Sequence, residues 1–122
     1  MPTLTEGRTP GDFLLYDVAD YSRDVVTIGA GADLAPGTVL GKVTASGKFI
    51  RSVRTATDGS ETPVAVLRTA AAAASADVTN AIVQARHTRC RRFGLLFDAT
   101  WSTEGERDTA CAALADAGIV TT

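Results

Sequence analysis

One stretch constrains the fold of this chain more than any other, because it predicts a β-hairpin. Residues 36–37 are Pro-Gly and suit the two central positions of a type II turn, where proline fixes φ and glycine accepts a positive φ. Residues 38–43 are then predicted to be a strand, with Val39 and Val43 on one face and Leu40 and Lys42 on the other. Gly47 suits the left-handed position of a bulged loop, and residues 48–53 return as the partner strand. The hairpin points to a β-rich domain.

Further strands are predicted wherever short apolar or β-branched runs lie between turn residues. These runs are residues 13–16, 25–28, 64–67, 81–85, 95–97 and 119–120. Residues 17–24 are predicted to begin as a turn, and residues 29–33 to form a flexible connector. The alanine run at residues 70–74 is predicted to be a strand end and a turn, because so short a run without a cap cannot offset helix nucleation.

A single helix is predicted near the end of the chain. Thr103 and Glu106 have the spacing of a capping box, and the acidic residues of the first turn complement the helix dipole. An apolar stripe follows, and Gly118 is a natural stop. The sequence therefore predicts a small, mainly β domain with one C-terminal α-helix.

Composition predicts a thin core and an arm. Aromatic side chains make up only 6% of the 122 residues, so Ala, Val and Leu must build the interior, and some apolar surface is expected to be buried against a neighbour. Residues 1–12 are polar and rich in Pro and Gly, with Leu4 the only apolar side chain after the initiator. We expect a mobile arm over residues 1–12 and a folded domain over residues 13–122.

Charge and hydropathy argue against several classes of partner. The formal charge of −2 and the sequence pI near 5.2 give no bulk attraction to nucleic acid or to an anionic membrane. No apolar run approaches the roughly eighteen residues of a membrane span, and the N-terminus lacks a signal peptide's order, so a cytoplasmic product is expected. Cys90 and Cys111 form no CxxC motif and are expected to be buried or idle thiols.

The sequence gives little support for a catalytic site or a metal site. His87 is the only histidine, and no serine motif or orienting carboxylate accompanies it. A metal half-site with Cys90 and an enzyme that uses His87 with an aspartate remain open alternatives. The aspartates at 17, 20 and 24 lack the spacing of a calcium loop and are predicted to be solvated turn residues. We expect no enzyme and no cofactor.

A cluster of arginines is the strongest local charge: Arg86, Arg89, Arg91 and Arg92. On a regular strand Arg89 and Arg91 would share one face, and Arg86 and Arg92 the other. One interpretation is a small β-rich binding module for nucleic acid or carbohydrate. The other is an exposed edge strand, or pairing with carboxylates of a neighbouring subunit.

An ordered series of segments resembles the head decoration proteins of tailed phages, the lambda-type capsid-stabilising family. The segments are Thr5-Glu6-Gly7-Arg8, Gly11-Asp12-Phe13-Leu14, Ser22-Arg23-Asp24-Val25-Val26-Thr27-Ile28, Pro36-Gly37-Thr38-Val39-Leu40-Gly41-Lys42-Val43-Thr44-Ala45-Ser46-Gly47-Lys48, Ala56-Thr57-Asp58-Gly59-Ser60 and Ala112-Ala113-Leu114-Ala115-Asp116-Ala117-Gly118-Ile119-Val120. The chain departs from the family pattern at residues 87–92 and 98–101, so the family's local contacts there are not carried over.

The resemblance implies a β-clip-like domain that forms a homotrimer on the outside of the expanded phage head. It implies a position over the local three-fold sites, where the trimer clamps the major capsid protein against the pressure of packaged DNA. It also implies a virion product made in the host bacterial cytoplasm, with no catalytic, metal or cofactor site, no membrane partner and no specific nucleic acid.

The predicted arm has a use in that setting. Its extended residues would add a strand to an edge on a capsid subunit, with main-chain hydrogen bonds supplying the affinity. Phe13 and Tyr16 are expected to anchor the arm where it leaves the domain. The other candidate capsid-binding residues are Thr3, Leu4, Thr5, Glu6 and Arg8.

Overall fold

The computed structural model describes residues 13–122, and the predicted arm lies outside them. The described chain is mainly β, with 38% strand in ten strands and a C-terminal helix, as predicted. The strands are β1 (Leu14–Tyr16), β2 (Arg23–Ile28), β3 (Ala32–Leu34), β4 (Val39–Lys42), β5 (Phe49–Arg51), β6 (Pro63–Leu67), β7 (Ala71–Ala73), β8 (Val78–Gln84), β9 (Thr88–Cys90) and β10 (Ile119–Thr121). The helices are the single turn α1 (Ala19–Ser22) and the long α2 (Glu104–Asp116).

Five strands close into a barrel in the order β2-β5-β4-β6-β8. The predicted hairpin is its centre, with Leu40 opposite Arg51 in an antiparallel pair. Gly37 has φ +94° and Gly47 has φ +72°, so both glycines take the positive φ that their turns require. The alternation along β4 sends Leu40 into the barrel core, while Val39 packs outside it.

The second core lies between the barrel, the helix and a three-stranded sheet of order β1-β9-β10. Strand β9 is central, antiparallel to β1 and parallel to β10. The core between these layers contains Phe13, Val39, Val66, Cys90, Leu95, Leu114 and Ile119, all of them buried. Because this cluster joins both ends of the described chain to the barrel, it fixes the position of the small sheet.

The predicted capping box begins α2. The Thr103 hydroxyl accepts a 3.2 Å hydrogen bond from the Glu106 amide, and Gly118, with φ +91°, follows the helix. The loop before the helix is held by Trp101, whose indole Nε1 donates a 3.0 Å hydrogen bond to the Ser52 carbonyl.

Asp98 sits in the same loop and is almost buried. Its carboxylate accepts hydrogen bonds from the amide and the hydroxyl of Thr100, at 3.0 and 2.7 Å, and pairs with Arg51 Nε at 3.0 Å. Burial acts to raise the pKa of Asp98, but these hydrogen bonds and the guanidinium charge outweigh it, and the pKa is lowered.

Three local predictions need correction. Residues 95–97 form no strand, because a 3₁₀ turn at Arg92–Gly94 precedes them and a turn follows. Their pairing is limited to a single β-bridge between Leu96 and Thr38. The turn within residues 17–24 contains the one-turn helix α1. The connector at residues 29–33 includes part of β3.

The alanine run forms a separate strand, in place of the predicted strand end and turn. Strand β7 pairs antiparallel with β3 to form a separate two-stranded sheet. Ala71 and Ala73 face the barrel core and are buried, while Ala72 faces solvent. Small side chains let this short sheet lie close against the barrel.

Candidate interaction surfaces

The exposed face of the three-stranded sheet carries a row of side chains from three distant parts of the sequence. Tyr16 of β1 is paired with Arg89 of β9, which is paired in turn with Val120 of β10. Their neighbours Cys90 and Ile119 point to the other face and are buried. The period-two alternation of strands therefore leaves two large apolar side chains and one cation in line on the surface.

This row forms one side of a groove of about 390 Å³. Tyr16 remains 61% exposed and Val120 50% exposed, although both are large apolar side chains. The residues that line the groove are Tyr16, Val18, His87, Thr88, Arg89, Gly118 and Val120. We call this surface the groove.

Arg89 is the cation of the groove. It is exposed and makes no ion pair with any residue from 13 to 122. Arg86, in contrast, pairs with Asp24 at 2.6 Å, and Arg92 with Asp108 at 2.5 Å. The hydrogen bond that each arginine donates to its carboxylate partner raises the pKa of that arginine. Arg86, Arg89 and Arg92 therefore differ in how far their charges are neutralised by residues 13–122.

The arginines do not share strand faces as expected. Only Arg89 lies within β9, because Arg86 precedes the strand and Arg92 belongs to the 3₁₀ turn. His87 interrupts any regular alternation with φ +47°. The stretch therefore turns twice and separates the side chains that a continuous strand would align.

His87 has no catalytic surroundings in the described chain. Its ring is exposed and meets the Tyr21 ring edge to face, with centroids 5.0 Å apart. The aspartates on either side of Tyr21 in the sequence are engaged elsewhere: Asp17 with Arg23, and Asp24 with Arg86. Residues 13–122 contain no group of three or more side chains that could hold a metal.

A second apolar surface lies on the wall of the barrel. Val25 and Ile82 are cross-strand partners on β2 and β8, and Val25 is 70% exposed. Together with Asp20, Arg23 and Asp24 they line a shallow depression of about 260 Å³. We call these five residues the barrel patch.

The charges of the barrel patch are partly neutralised within the protomer. Arg23 Nε lies 2.9 Å from the Asp17 carboxylate, and Asp24 pairs with Arg86. Asp20 is exposed and has no ion-pair partner in the part of the chain that the structure describes. The patch therefore presents one uncompensated carboxylate beside two aliphatic side chains.

A third surface surrounds Phe93, whose side chain is 100% exposed. Together with Leu96 and Phe97 it borders a depression of about 250 Å³ next to α2. The charges there are already paired, since Arg92 and Arg107 both contact Glu104. We call this surface the Phe93 patch.

These surfaces suit contacts with other macromolecules, and comparison with known proteins gives the setting. The sequence model of the family "Bacteriophage lambda head decoration protein D" matches residues 3–119. The chain belongs to the head decoration family. No curated protein sequence matches it. The family is a structural one, so the chain is a virion component that decorates the phage capsid.

The two predicted anchors of the arm, Phe13 and Tyr16, differ in burial. Phe13 is completely buried in the second core, and its backbone carbonyl accepts a 2.8 Å hydrogen bond from the Arg91 amide. Tyr16 lines the groove. Thr3, Leu4, Thr5, Glu6 and Arg8 lie outside the described residues. The domain thus holds the chain firmly at residue 13.

Asp20, Val18, Val25 and Val120 are surface candidates that the sequence alone did not predict. The sequence signal for such a surface is the alternation of side chains between the two faces of a strand. Where one face is buried, a large aliphatic residue at an outward position is unusual. Val25 satisfies that criterion, because its successor Val26 packs against the barrel core.

The two cysteines are free and buried, as predicted. Burial, with a smaller contribution from Cys111, raises the pKa of the Cys90 thiol to about 12. A thiol with so high a pKa is a poor nucleophile and metal ligand at neutral pH. No helix within residues 13–122 has the length and hydropathy to cross a bilayer.

Proposed function

We propose that this protein acts as a homotrimer on the outside of the expanded phage head, over the local three-fold positions. There it bridges subunits of the major capsid protein and resists the outward pressure of packaged DNA. The observation that carries the proposal is the family match over residues 3–119. The protein needs no cofactor for this task, because its work consists of binding.

The distribution of apolar surface supports an association role. Among residues 13–122, the large exposed hydrophobic side chains other than Leu15 of β1 and Tyr21 of α1 fall into the three surfaces described above. Clustered apolar side chains on a small protein typically mark interaction sites. A bridging protein needs more than one such surface, since it must contact both its own copies and the shell.

The arm supplies the proposed attachment to the capsid. Residues 3–6 and Arg8 would pair in extended form with an exposed strand edge on a capsid subunit. Ordering ten residues costs on the order of 10 kcal/mol or more, so one arm alone binds weakly. Three arms on one trimer raise the effective concentration of the second and third contacts, which makes attachment stable. Phe13, buried and hydrogen-bonded, fixes the point from which each arm extends.

A truncation that removes residues 1–10 tests this assignment. The truncated protein is expected to remain trimeric by light scattering, because the described domain begins at Phe13, and to lose its binding to expanded heads in a sedimentation assay. Unexpanded heads serve as the comparison shell. A full-length Leu4→Ser variant is the matched control for length, and is expected to bind with reduced affinity. Undiminished coating by the truncated protein would refute the arm model.

A further inference from the structure

The groove and the barrel patch both carry exposed apolar side chains, and they are complementary in charge. The groove is an apolar depression with one cation, Arg89, that has no ion-pair partner in the described part of the chain, residues 13–122. The barrel patch presents a largely exposed aliphatic side chain, Val25, beside Asp20, an anion with no ion-pair partner among residues 13–122. Every other charged side chain of the barrel patch has an ion-pair partner within the protomer.

We propose that the groove of one protomer receives the barrel patch of a second copy of the chain. Val25 of the second copy fills the apolar part of the groove, and its Asp20 carboxylate pairs with Arg89 of the first. This inference rests on the proposed trimer and names the contact that would build it.

Desolvation explains why the partner of the groove must supply a carboxylate. Covering the groove removes water from the Arg89 guanidinium, and a charge that loses water without gaining a partner is costly. Tyr16 and Val120, on either side of Arg89 in the sheet, offer no acceptor besides the tyrosine hydroxyl. A second copy brings the missing anion on the same surface as the aliphatic side chain.

The geometry of the contact favours a ring. The groove and the barrel patch are different surfaces, so their contact is heterologous, with each protomer donating one surface and receiving with the other. Heterologous contacts form a closed ring when a whole number of the rotations that relate neighbouring protomers completes 360°, as in a trimer. The surfaces lie on either side of the α1 turn, with Val18 in the groove and Asp20 in the patch.

The Phe93 patch is a poorer match for either surface. Its arginines are already paired with Glu104, so it offers neither an unneutralised cation nor an unneutralised anion to the two surfaces. This leaves the Phe93 patch free for other contacts in the assembled particle.

Charge reversal on the full-length protein tests the pairing. Arg89→Glu and Asp20→Arg each place like charges together across the contact, and each is expected to raise the concentration at which trimers dissociate by at least about tenfold. The double variant restores opposite charges in reversed positions and is expected to return within about threefold of the wild type. Sedimentation velocity over a dilution series measures all three.

The control variant is Lys42→Glu, which makes the same change of charge at an exposed residue outside the three surfaces. It is expected to dissociate like the wild type. Circular dichroism confirms that each variant is folded, and Val25→Ala adds an uncharged test, with weaker association expected from the loss of its buried methyl groups.

The outcomes separate this inference from the proposed function. A trimeric wild type whose association survives Arg89→Glu and Asp20→Arg would overturn the named contact and leave the trimer intact. Failure of the double variant to recover would overturn the Asp20–Arg89 pairing. A wild type that stays monomeric at all concentrations, or that forms a two-fold dimer, would overturn the proposed trimer itself.

Discussion

Replacing Gly41 with alanine would show how closely β4 approaches the loop before β6. A Cβ atom at position 41 would lie 2.0 Å from the carbonyl oxygen of Ser60 and 2.6 Å from its Cα. Both are backbone atoms, so relief requires the loop to move. The same carbonyl accepts a 2.7 Å hydrogen bond from the hydroxyl of Ser52, and both serines are fully buried. The added methyl group therefore disrupts a buried hydrogen bond in addition to overcrowding the site.

The expected cost follows from these two effects. Overpacking a well-packed interior costs roughly 1–3 kcal/mol, and leaving a buried hydroxyl and carbonyl unpaired costs a further 1–3 kcal/mol or so. Gly41→Ala is therefore expected to lower the free energy of unfolding by about 2–6 kcal/mol. A single domain typically has about 5–15 kcal/mol in all, so the effect is large.

Urea denaturation followed by the fluorescence of Trp101 is a suitable assay. Trp101 is buried and its indole bonds to the Ser52 carbonyl, so its emission reports on the affected region. All variants must be compared at one protomer concentration, since association contributes to apparent stability. The m-value indicates whether the unfolding transition remains comparable.

Gly105→Ala is the matched control, because the same change occurs where nothing lies within 4 Å of the new Cβ atom. Gly105 is in the first turn of α2, and alanine there is expected to raise the free energy of unfolding by about 0.5 kcal/mol. Equal stability of Gly41→Ala and the wild type would refute the close approach of β4 to the loop.

Three further predictions concern the helix cap, acid stability and the thiols. Thr103→Ala is expected to lower the free energy of unfolding by about 1 kcal/mol in urea denaturation, because the Glu106 amide loses its acceptor, whereas Thr103→Ser keeps it and should stay near the wild type. Because the pKa of Asp98 is lowered in the folded protein, the ionised Asp98 stabilises the fold fully above the ordinary value of 3.8, and this stabilisation is lost as pH falls through the native pKa. Asp98→Asn is therefore expected to flatten the loss of stability below about pH 4 in urea denaturation. An unchanged pH profile would contradict this. Cys90 and Cys111 should react with an aromatic disulfide reagent only after denaturation, since both are buried, and prompt reaction of the native protein would contradict their burial.

The parts of the fold that the sequence predicted correctly have local causes. The hairpin depends on glycine in its turns, and α2 depends on the Thr103–Glu106 capping box. Each signal lies within a few residues of the structure that it produces. The family resemblance predicted from the ordered segments is likewise confirmed by the match over residues 3–119.

The parts that the sequence did not reveal depend on distant pairings. The pairing of β3 with β7 has no local sequence signal and is seen only in the folded register, which sets Asp33 opposite Ala72. The groove likewise needs Tyr16, Arg89 and Val120 to be aligned by two registers, one antiparallel and one parallel. Nothing local in the arginine cluster distinguishes Arg89 from its neighbours, because the acids that neutralise Arg86 and Arg92 lie elsewhere in the chain.

The central position of β9 has a consequence for how the groove is built. Its two neighbours come from distant parts of the described chain, and the parallel one includes Val120. Loss of either neighbouring strand would remove one wall of the groove and leave Arg89 at an open sheet edge. Under the association proposed above, a protomer can therefore dock only when both strands are paired with β9.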